Sequence, residues 1–295
     1  MIETKLTIKD YDSPERPTWC PGCGDFGILN AVKLALLQLN IAPHEVLVVS
    51  GIGCGSKLPH YLKSNGLHTL HGRSLPIATG VRLANHGLKV MIVHGDGDGY
   101  GMGLGHMMHA IRRNVGLVDL VQNNQVYGLT KGQFSPTSDL GYISKTSPEG
   151  TIEAAVNPIA LAISAGATFV ARGFAGDPKH LAGIIQQALE HPGYALVDVL
   201  QPCVTFNRVN TYDWYRDRVY KVEESNRYDA SDPVAAFKVA LEWGERIAIG
   251  VLYRGQVRPT FEEQTTALAV GPLVKQPVEN RFSRAQLEAL RAEFF

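Results

Sequence analysis

Asp96, Asn124 and the cysteines Cys20, Cys23, Cys54 and Cys203 are the residues of this chain whose types and spacing point to chemistry. Asp96 sits in the run His94-Gly95-Asp96-Gly97-Asp98-Gly99. Its flanking glycines let the backbone turn sharply and let a ligand come close. The carboxylate offers a hard anionic oxygen. Asn124 follows 28 positions later in the pair Asn123-Asn124 and offers a neutral amide oxygen, and the backbone carbonyl of Val126 supplies a third. Three such oxygens suit Mg²⁺, which takes few protein carboxylates and favours a phosphate-bearing partner. The ligand so implied is a diphosphate bridged to the protein by the ion.

The cysteines form a second constellation. Cys20-Pro21-Gly22-Cys23 brings two thiolates together, Cys54 lies between glycines, and Cys203 comes 149 positions after Cys54 in Gln201-Pro202-Cys203. Each lies beside glycine or proline, as turn residues do. Four thiolates can hold a [4Fe–4S] cluster or a structural zinc, or they can remain free. Zinc ribbons use two closely spaced C-x₂-C pairs, and the second half here is split; the dense cysteine run of two-cluster ferredoxins is also absent.

Other readings of these residues are weaker. An EF-hand loop starting at Asp96 needs Asp or Asn at 100 and Glu at 107, where Tyr100 and Met107 stand. His106 and His109, three apart on a helix, could share a metal, but core or interface hydrogen bonds are the better reading. Arg73, in His71-Gly72-Arg73-Ser74, is either a partner for a diphosphate or carboxylate or a solvated surface residue.

The elements around these residues follow one pattern. Residues 90–93 form a fully apolar run that suits a buried parallel strand. An amphipathic helix over 104–114 and a second apolar run over 117–121 follow. A right-handed crossover then puts Asp96 and Asn124 at the same edge of the sheet, where open α/β sheets bind ligands. Helices are expected over 25–40, 55–65, 75–86, 157–166 and 177–191, the last capped by Asp177 with Pro178 in its first turn. Strands are expected over 46–50, 168–172 and 194–200, and residues 134–151 read as a long loop. The fold class is therefore α/β, a doubly wound and mostly parallel sheet with helices on both faces. An extended arm spans 1–17 and the α/β domain 18–206. Residues 207–295 are less regular, with a helix over 233–243, a strand over 246–253 and a last helix carrying Phe282, Leu287 and Leu290 towards one face. That segment reads as an extension packing on a partner subunit, or alternatively as a solvated tail.

Composition removes several function classes. The 295 residues are 45% hydrophobic, enough for one large core. The 28 basic and 28 acidic residues balance, which argues against a nucleic-acid footprint. No apolar run reaches membrane-spanning length, and the N-terminus lacks the apolar core of a secretory signal. The expected compartment is the cytoplasm, with the cysteines reduced unless metal-bound.

The GDG turn followed, one βα unit later, by NN resembles the thiamine-diphosphate motif. The wider text, CPGCG, GIGCGS, HGRSLPIATG, IRRN and NNQVYGLTKGQFSPTS, resembles the β subunit of 2-oxoacid:ferredoxin oxidoreductases, nearest to the 2-oxoglutarate variant, over most of residues 15–210. The resemblance implies the thiamine-diphosphate-binding fold, with Mg²⁺ on Asp96, Asn124 and Val126 and one [4Fe–4S] cluster on Cys20, Cys23, Cys54 and Cys203. It implies cofactor contacts from Ile52, Gly53, Gly55, Ser56, His71, Gly72, Arg73, Ser74, Gly95, Gly97, Asp98, Gly128 and Leu129. His71, Arg73, Leu129 and Lys131 are implied at the reacting centre. Lys131 is either the partner of a substrate carboxylate, the distal one of 2-oxoglutarate, or a solvated lysine. The implied reaction is CoA-dependent oxidative decarboxylation to an acyl-CoA such as succinyl-CoA, CO₂ and reduced ferredoxin, reversible in principle. An α subunit, in an αβ or α2β2 assembly, would supply the catalytic glutamate, so this chain would be inactive alone. The alternatives are pyruvate or a broad range of 2-oxoacids as substrate, a non-redox thiamine-diphosphate decarboxylase, and a metal-holding scaffold without catalysis.

Overall fold

The fold is seen in a computed structural model that describes residues 6–225, 228–277 and 282–294. In chain order the strands are β1 (Val46–Ser50), β2 (Asn65–His68), β3 (Lys89–Gly95), β4 (Val118–Asn123), β5 (Val126–Tyr127), β6 (Gln133–Phe134), β7 (Phe169–Phe174), β8 (Ala195–Leu200), β9 (Val219–Lys221) and β10 (Ile247–Arg254). The helices are α1 (Asp25–Gln38), α2 (Leu58–Tyr61), α3 (Ser74–Ala84), α4 (Leu104–Arg113), α5 (Pro158–Ser164), α6 (Pro178–Glu190), α7 (Tyr212–Arg216), α8 (Pro233–Ala240), α9 (Phe261–Gln264) and α10 (Arg284–Ala292). Eight strands form one sheet in the order β2-β1-β3-β4-β8-β7-β10-β9. All neighbours run parallel except β10 against β7.

The central strands explain themselves from sequence. Every residue of β4, β7 and β8 is buried, as a parallel strand covered on both faces requires. One apolar layer packs α1 and α6 on the sheet through Ile28, Leu36, Met91 and Ile185. The other covers the opposite face with α3, α4, α5 and α8 through Leu75, Ile92, Met107 and Ile163. Fully burying one such side chain contributes about 1.5–3 kcal/mol. The helix starts are as the turn chemistry predicts. Asn157 Oδ1 accepts from the N–H of Ala160 at 3.0 Å ahead of Pro158, and Asp177 Oδ1 accepts from that of His180 at 3.2 Å ahead of Pro178.

Three segments depart from the expectation. The helix expected over 55–65 is a 3₁₀ turn followed by the four-residue α2, after which β2 forms an exposed edge strand. The helix stops at Tyr61, where Leu62 turns extended and bridges to Asp12, and Asn65 then anchors β2, its side-chain amide donating to the carbonyls of His44 and Val46, both at 3.0 Å. The N-terminal arm, expected to be extended, carries a 3₁₀ turn over Ile8–Tyr11 and is fastened to the domain. Tyr11 is fully buried with its hydroxyl donating to the Ile41 carbonyl at 2.8 Å, and Asp12 pairs with Lys33 at 2.7 Å. The sheet also does not end at residue 206. β10 adds to β7 and β9 adds to β10, so residues 219–254 complete the edge that β7 would leave unpaired. The apolar run of β10, buried over Ile247–Gly250, is what carries this segment into the sheet.

Candidate active site

β1, β3, β4 and β8 end at one edge of the sheet, at Ser50, Gly95, Asn123 and Leu200. The loops that leave this edge carry Cys54, Asp96, Asn124 and Cys203, while Cys20 and Cys23 come from the segment before α1. After β3 the chain enters a π-helical turn over Gly97–Met102, with Asp96 at its N-cap. Such turns cluster at functional sites. Gly97 is compulsory there, because an added Cβ would lie 2.1 Å from the ring of Tyr127, whose hydroxyl donates to the Gly97 carbonyl at 3.1 Å. This contact fixes the 124–133 loop, a hairpin of β5 and β6, over the Asp96 turn.

Asp96 is buried, and its carboxylate is met by neutral donors: the Ser135 hydroxyl, the Thr137 hydroxyl at 2.7 Å and the Gly97 N–H. Burial lifts its pKa to about 6, partly offset by those hydrogen bonds. A buried carboxylate answered only by neutral groups is a site that a cation would stabilise. Asn124 is buried too. Its Oδ1 accepts from the Val126 N–H at 3.1 Å, and its backbone carbonyl accepts from Asn207 Nδ2 at 3.0 Å. Ser135 and Thr137 fall in the segment read only as a long loop; their signal was a Ser/Thr cluster able to serve a neighbouring carboxylate.

Asp98, expected as a cofactor contact, is tied into the protein around it. Its Oδ1 accepts from the N–H groups of Ile52 and Gly72, both at 2.9 Å, and lies 3.0 Å from His71 Nδ1. Its Oδ2 lies 3.1 Å from His94 Nδ1. Asp98 therefore ties the loops after β1 and β2 to the Asp96 turn, and both its oxygens are engaged by protein. His94 Nε2 reaches Asp119 Oδ1, whose second oxygen accepts from the Tyr194 hydroxyl at 2.6 Å. Burial opposes charge on His94, but Asp119 and then Asp98 outweigh it and raise its pKa to about 10. His94, Asp119 and Tyr194 were not anticipated; one histidine in an apolar strand carries little signal.

The loop 71–74 places Ser74 inside, 3.1 Å from His94 Nδ1, and leaves His71 and Arg73 exposed. Arg73 pairs with His106, so that histidine serves a guanidinium contact. On these and adjoining segments Leu70, Ile77 and Met102 are exposed at 77%, 42% and 62%, apolar side chains beside the exposed His71 and Arg73.

The four cysteines, far apart in sequence, line one cavity of about 280 Å³ together with Lys57, Asn124, Gly128, Leu129, Lys131 and Gln201. Lys131, expected against a substrate carboxylate, thus borders the sulfurs, in a left-handed backbone conformation with φ 78°. Gly128 comes closest of the loop; a Cβ there would lie 3.7 Å from Cys54 Sγ and 3.9 Å from Cys203 Sγ. All four cysteines are free thiols. Burial, with the Asp25 carboxylate next, pushes the Cys54 thiol up to about 11 and raises Cys23 further. Among the described residues, no three His, Cys, Asp or Glu side chains converge tightly enough for a single metal ion. Trp19 holds one wall of the cavity, donating to the Cys54 carbonyl at 2.7 Å.

Comparison with known proteins fits this geometry. Residues 48–199 match the family described as thiamine pyrophosphate enzyme, C-terminal TPP binding domain. Residues 203–269 match the family described as the C-terminal part of the pyruvate ferredoxin oxidoreductase beta subunit. A 2-oxoacid:ferredoxin oxidoreductase subunit beta from Sulfolobus sp is 48% identical over 269 residues, covering 86% of this chain and 87% of its own. This chain belongs to the 2-oxoacid:ferredoxin oxidoreductase β-subunit family. It is a subunit of an oxidoreductase complex, and its sheet is the thiamine-diphosphate-enzyme fold. Another β-subunit relative, the 2-oxoglutarate oxidoreductase subunit KorB of Mycobacterium tuberculosis, is 45% identical over 199 residues, covering 68% of this chain and 53% of its own. A solved 2-oxoglutarate:ferredoxin oxidoreductase from Magnetococcus marinus, with 2-oxoglutarate, coenzyme A and succinyl-CoA bound, aligns with a TM-score of 0.89 at 40% identity, over 97% of this chain and 96% of that one. Among the described residues no helix of this β subunit is long and apolar enough to cross a membrane.

Proposed function

We propose that this β subunit holds Mg²⁺–thiamine diphosphate and one [4Fe–4S] cluster, and that with its α subunit it oxidises 2-oxoglutarate to succinyl-CoA and CO₂ with ferredoxin as electron acceptor. The observation that carries the reading is the 124–131 loop. Its Tyr127 hydroxyl donates to the Gly97 carbonyl beside Asp96, and its Gly128, Leu129 and Lys131 line the cavity of the four cysteines. One loop thus touches both the Asp96 turn and the sulfur cavity, which supports two neighbouring sites.

When bound, thiamine diphosphate supplies the electron sink that lets a 2-oxoacid lose CO₂, and the cluster supplies one-electron carriage. The chain's own residues hold these groups. Asp96, Asn124 and the Val126 carbonyl would take the ion, which fits a buried carboxylate met only by hydroxyls and an N–H. Cys20, Cys23, Cys54 and Cys203, which line one cavity, would supply the four thiolates that a [4Fe–4S] cluster takes. Ile52, Gly53, His71 and Arg73 would face the diphosphate, with Asp98 keeping their loops in place. Lys131 would offset the distal carboxylate of 2-oxoglutarate, and with it the negative charge of the cluster.

The apolar rim of Leu70, Ile77 and Met102 supports an α subunit that covers this edge in an αβ or α2β2 assembly, and residues 207–295 are a further candidate contact. A reducing, cytoplasmic setting suits four free thiols. The test is co-expression with the α subunit under anaerobic conditions. Iron content, thiamine-diphosphate calorimetry and CoA-dependent ferredoxin reduction with a panel of 2-oxoacids should give about four irons per chain, Mg²⁺-dependent binding and 2-oxoglutarate as the best substrate. Iron-free active enzyme would instead mark a non-redox decarboxylase.

A further inference from the structure

β8 ends at Leu200, and the next residue reaches back to the C-x-x-C loop. Gln201 is 1% exposed, and its Nε2 lies 3.2 Å from Cys23 Sγ and 3.1 Å from the Pro202 carbonyl. The carbonyl can only accept, so the group facing both atoms is the amide NH₂ and not its oxygen. Both of its protons are then used: one on the carbonyl, one on the sulfur. The amide oxygen points elsewhere and is buried without a partner, a cost consistent with the nitrogen end being the end that is needed. The side chain has little freedom to move. Its backbone N–H donates to the Asn123 carbonyl at 2.9 Å, and the Pro202 carbonyl also accepts from the Gly24 N–H at 3.2 Å. Gly24 completes the arrangement, since a Cβ there would lie 2.8 Å from Gln201 Cγ. The last glycine of Cys-Pro-Gly-Cys-Gly is therefore the space through which this amide approaches.

We propose that Gln201 is a positioning residue for electron transfer, donating an N–H···S hydrogen bond to Cys23 that raises the reduction potential of the cluster. The inference rests on the cluster reading above. The physical reason is charge. An amide proton on a ligand sulfur draws electron density from it, so the reduced cluster, which carries one more negative charge, is stabilised more than the oxidised one. Burial strengthens the effect by removing competing water.

The test is a redox titration, followed by EPR, of the αβ enzyme purified anaerobically, wild type beside Gln201→Met, which keeps the bulk and removes the donor. The variant should retain its iron and charge-transfer absorbance, with reduction about tenfold less favourable, a fall of about 59 mV for a one-electron couple. An unchanged potential with the cluster present overturns the role of Gln201 and leaves the cluster reading standing. Wild-type enzyme without iron or a reduced-state signal overturns both. Should Gln201→Met lose the cluster, Gln201→Asn decides, because it withdraws the amide by one methylene: a lowered potential supports the proposal and a wild-type potential overturns it. Cluster loss in both variants also overturns it, since the amide would then serve assembly and not potential.

Discussion

His94 Nε2 lies 2.7 Å from Asp119 Oδ1, and both side chains are fully buried. Asp98 meets the other ring nitrogen at 3.1 Å, so the imidazole is shared by two carboxylates inside the sheet. The pair joins β3 to β4 beneath the turn that carries Asp96, and through Asp98 it holds the loops at Ile52 and Gly72.

This pairing predicts an alkaline weakness. His94 is raised from 6.5 to about 10, so the folded state keeps a proton that the unfolded chain releases. The stability it contributes is fully present below pH 6.5 and is lost as pH rises through about 10. His94→Gln should lower the melting temperature near pH 6, by an amount corresponding to about 3–5 kcal/mol for a broken buried pair, and flatten the decline above it. Thermal melts across that range check this. A variant with the wild-type slope would rule the imidazolium out.

Asp96→Ala should abolish Mg²⁺-dependent thiamine-diphosphate binding in calorimetry while the cluster absorbance remains. In the wild type, binding should weaken as pH falls below about 6, because the ion must then displace a proton from Asp96. Affinity that is flat from pH 5 to 8 would contradict the assignment.

Cys54→Ala should have the converse effect. Iron and visible absorbance should fall to background and ferredoxin reduction should stop, with thiamine-diphosphate affinity held within a factor of about two to three. If affinity collapses as well, the two sites are coupled through the 124–131 loop more tightly than separate walls allow.

Gly97→Ala should destabilise by about 1–3 kcal/mol, since the methyl would lie 2.1 Å from the Tyr127 ring. Truncating the ring in Gly97→Ala/Tyr127→Ala should recover part of that loss of melting temperature. Strictly additive single-variant effects would show that the two residues do not meet.

Lys131→Met should raise the KM for 2-oxoglutarate at least tenfold and leave that for pyruvate nearly unchanged, if the ammonium answers the distal carboxylate. Equal loss with both substrates would assign it to the cluster cavity that it borders.

Much of the site could be read directly from the chain because the chemistry sits at strand ends. An apolar run followed by Gly-Asp-Gly, and another followed by Asn-Asn, place their last residues at one sheet edge whatever lies between. Cys54 and Cys203 leave that same edge after β1 and β8, but β3 and β4 lie between those strands, so their meeting in one cavity depends on the loops and not on strand pairing. What stayed hidden depends on side-chain direction. Nothing in Gln201 distinguishes it from a solvated glutamine until Gly24 is seen to make room for it. The partners of Asp98 were hidden too, because a π-helical turn swings its carboxylate and that of Asp96 to different neighbours. β2 was only half legible: Thr69-Leu70 reads as a strand end ahead of His71, but Asn65-Gly66-Leu67-His68 has neither alternation nor apolar mass, and its pairing is set by β1. β10 was visible as a strand, but no local signal tells a strand which neighbour it will choose.

β10 runs against its neighbour, so Arg254 lies opposite Phe169, at the far end of the sheet from Asp96. The chain beyond it is moored there, with Arg258 donating to the Ile111 and Gly166 carbonyls and Glu262 paired with Arg82. Residues 255–264 are thereby released from the demands of catalysis. Breaking the Glu262–Arg82 pair there should therefore cost stability while leaving the reacting centre in place.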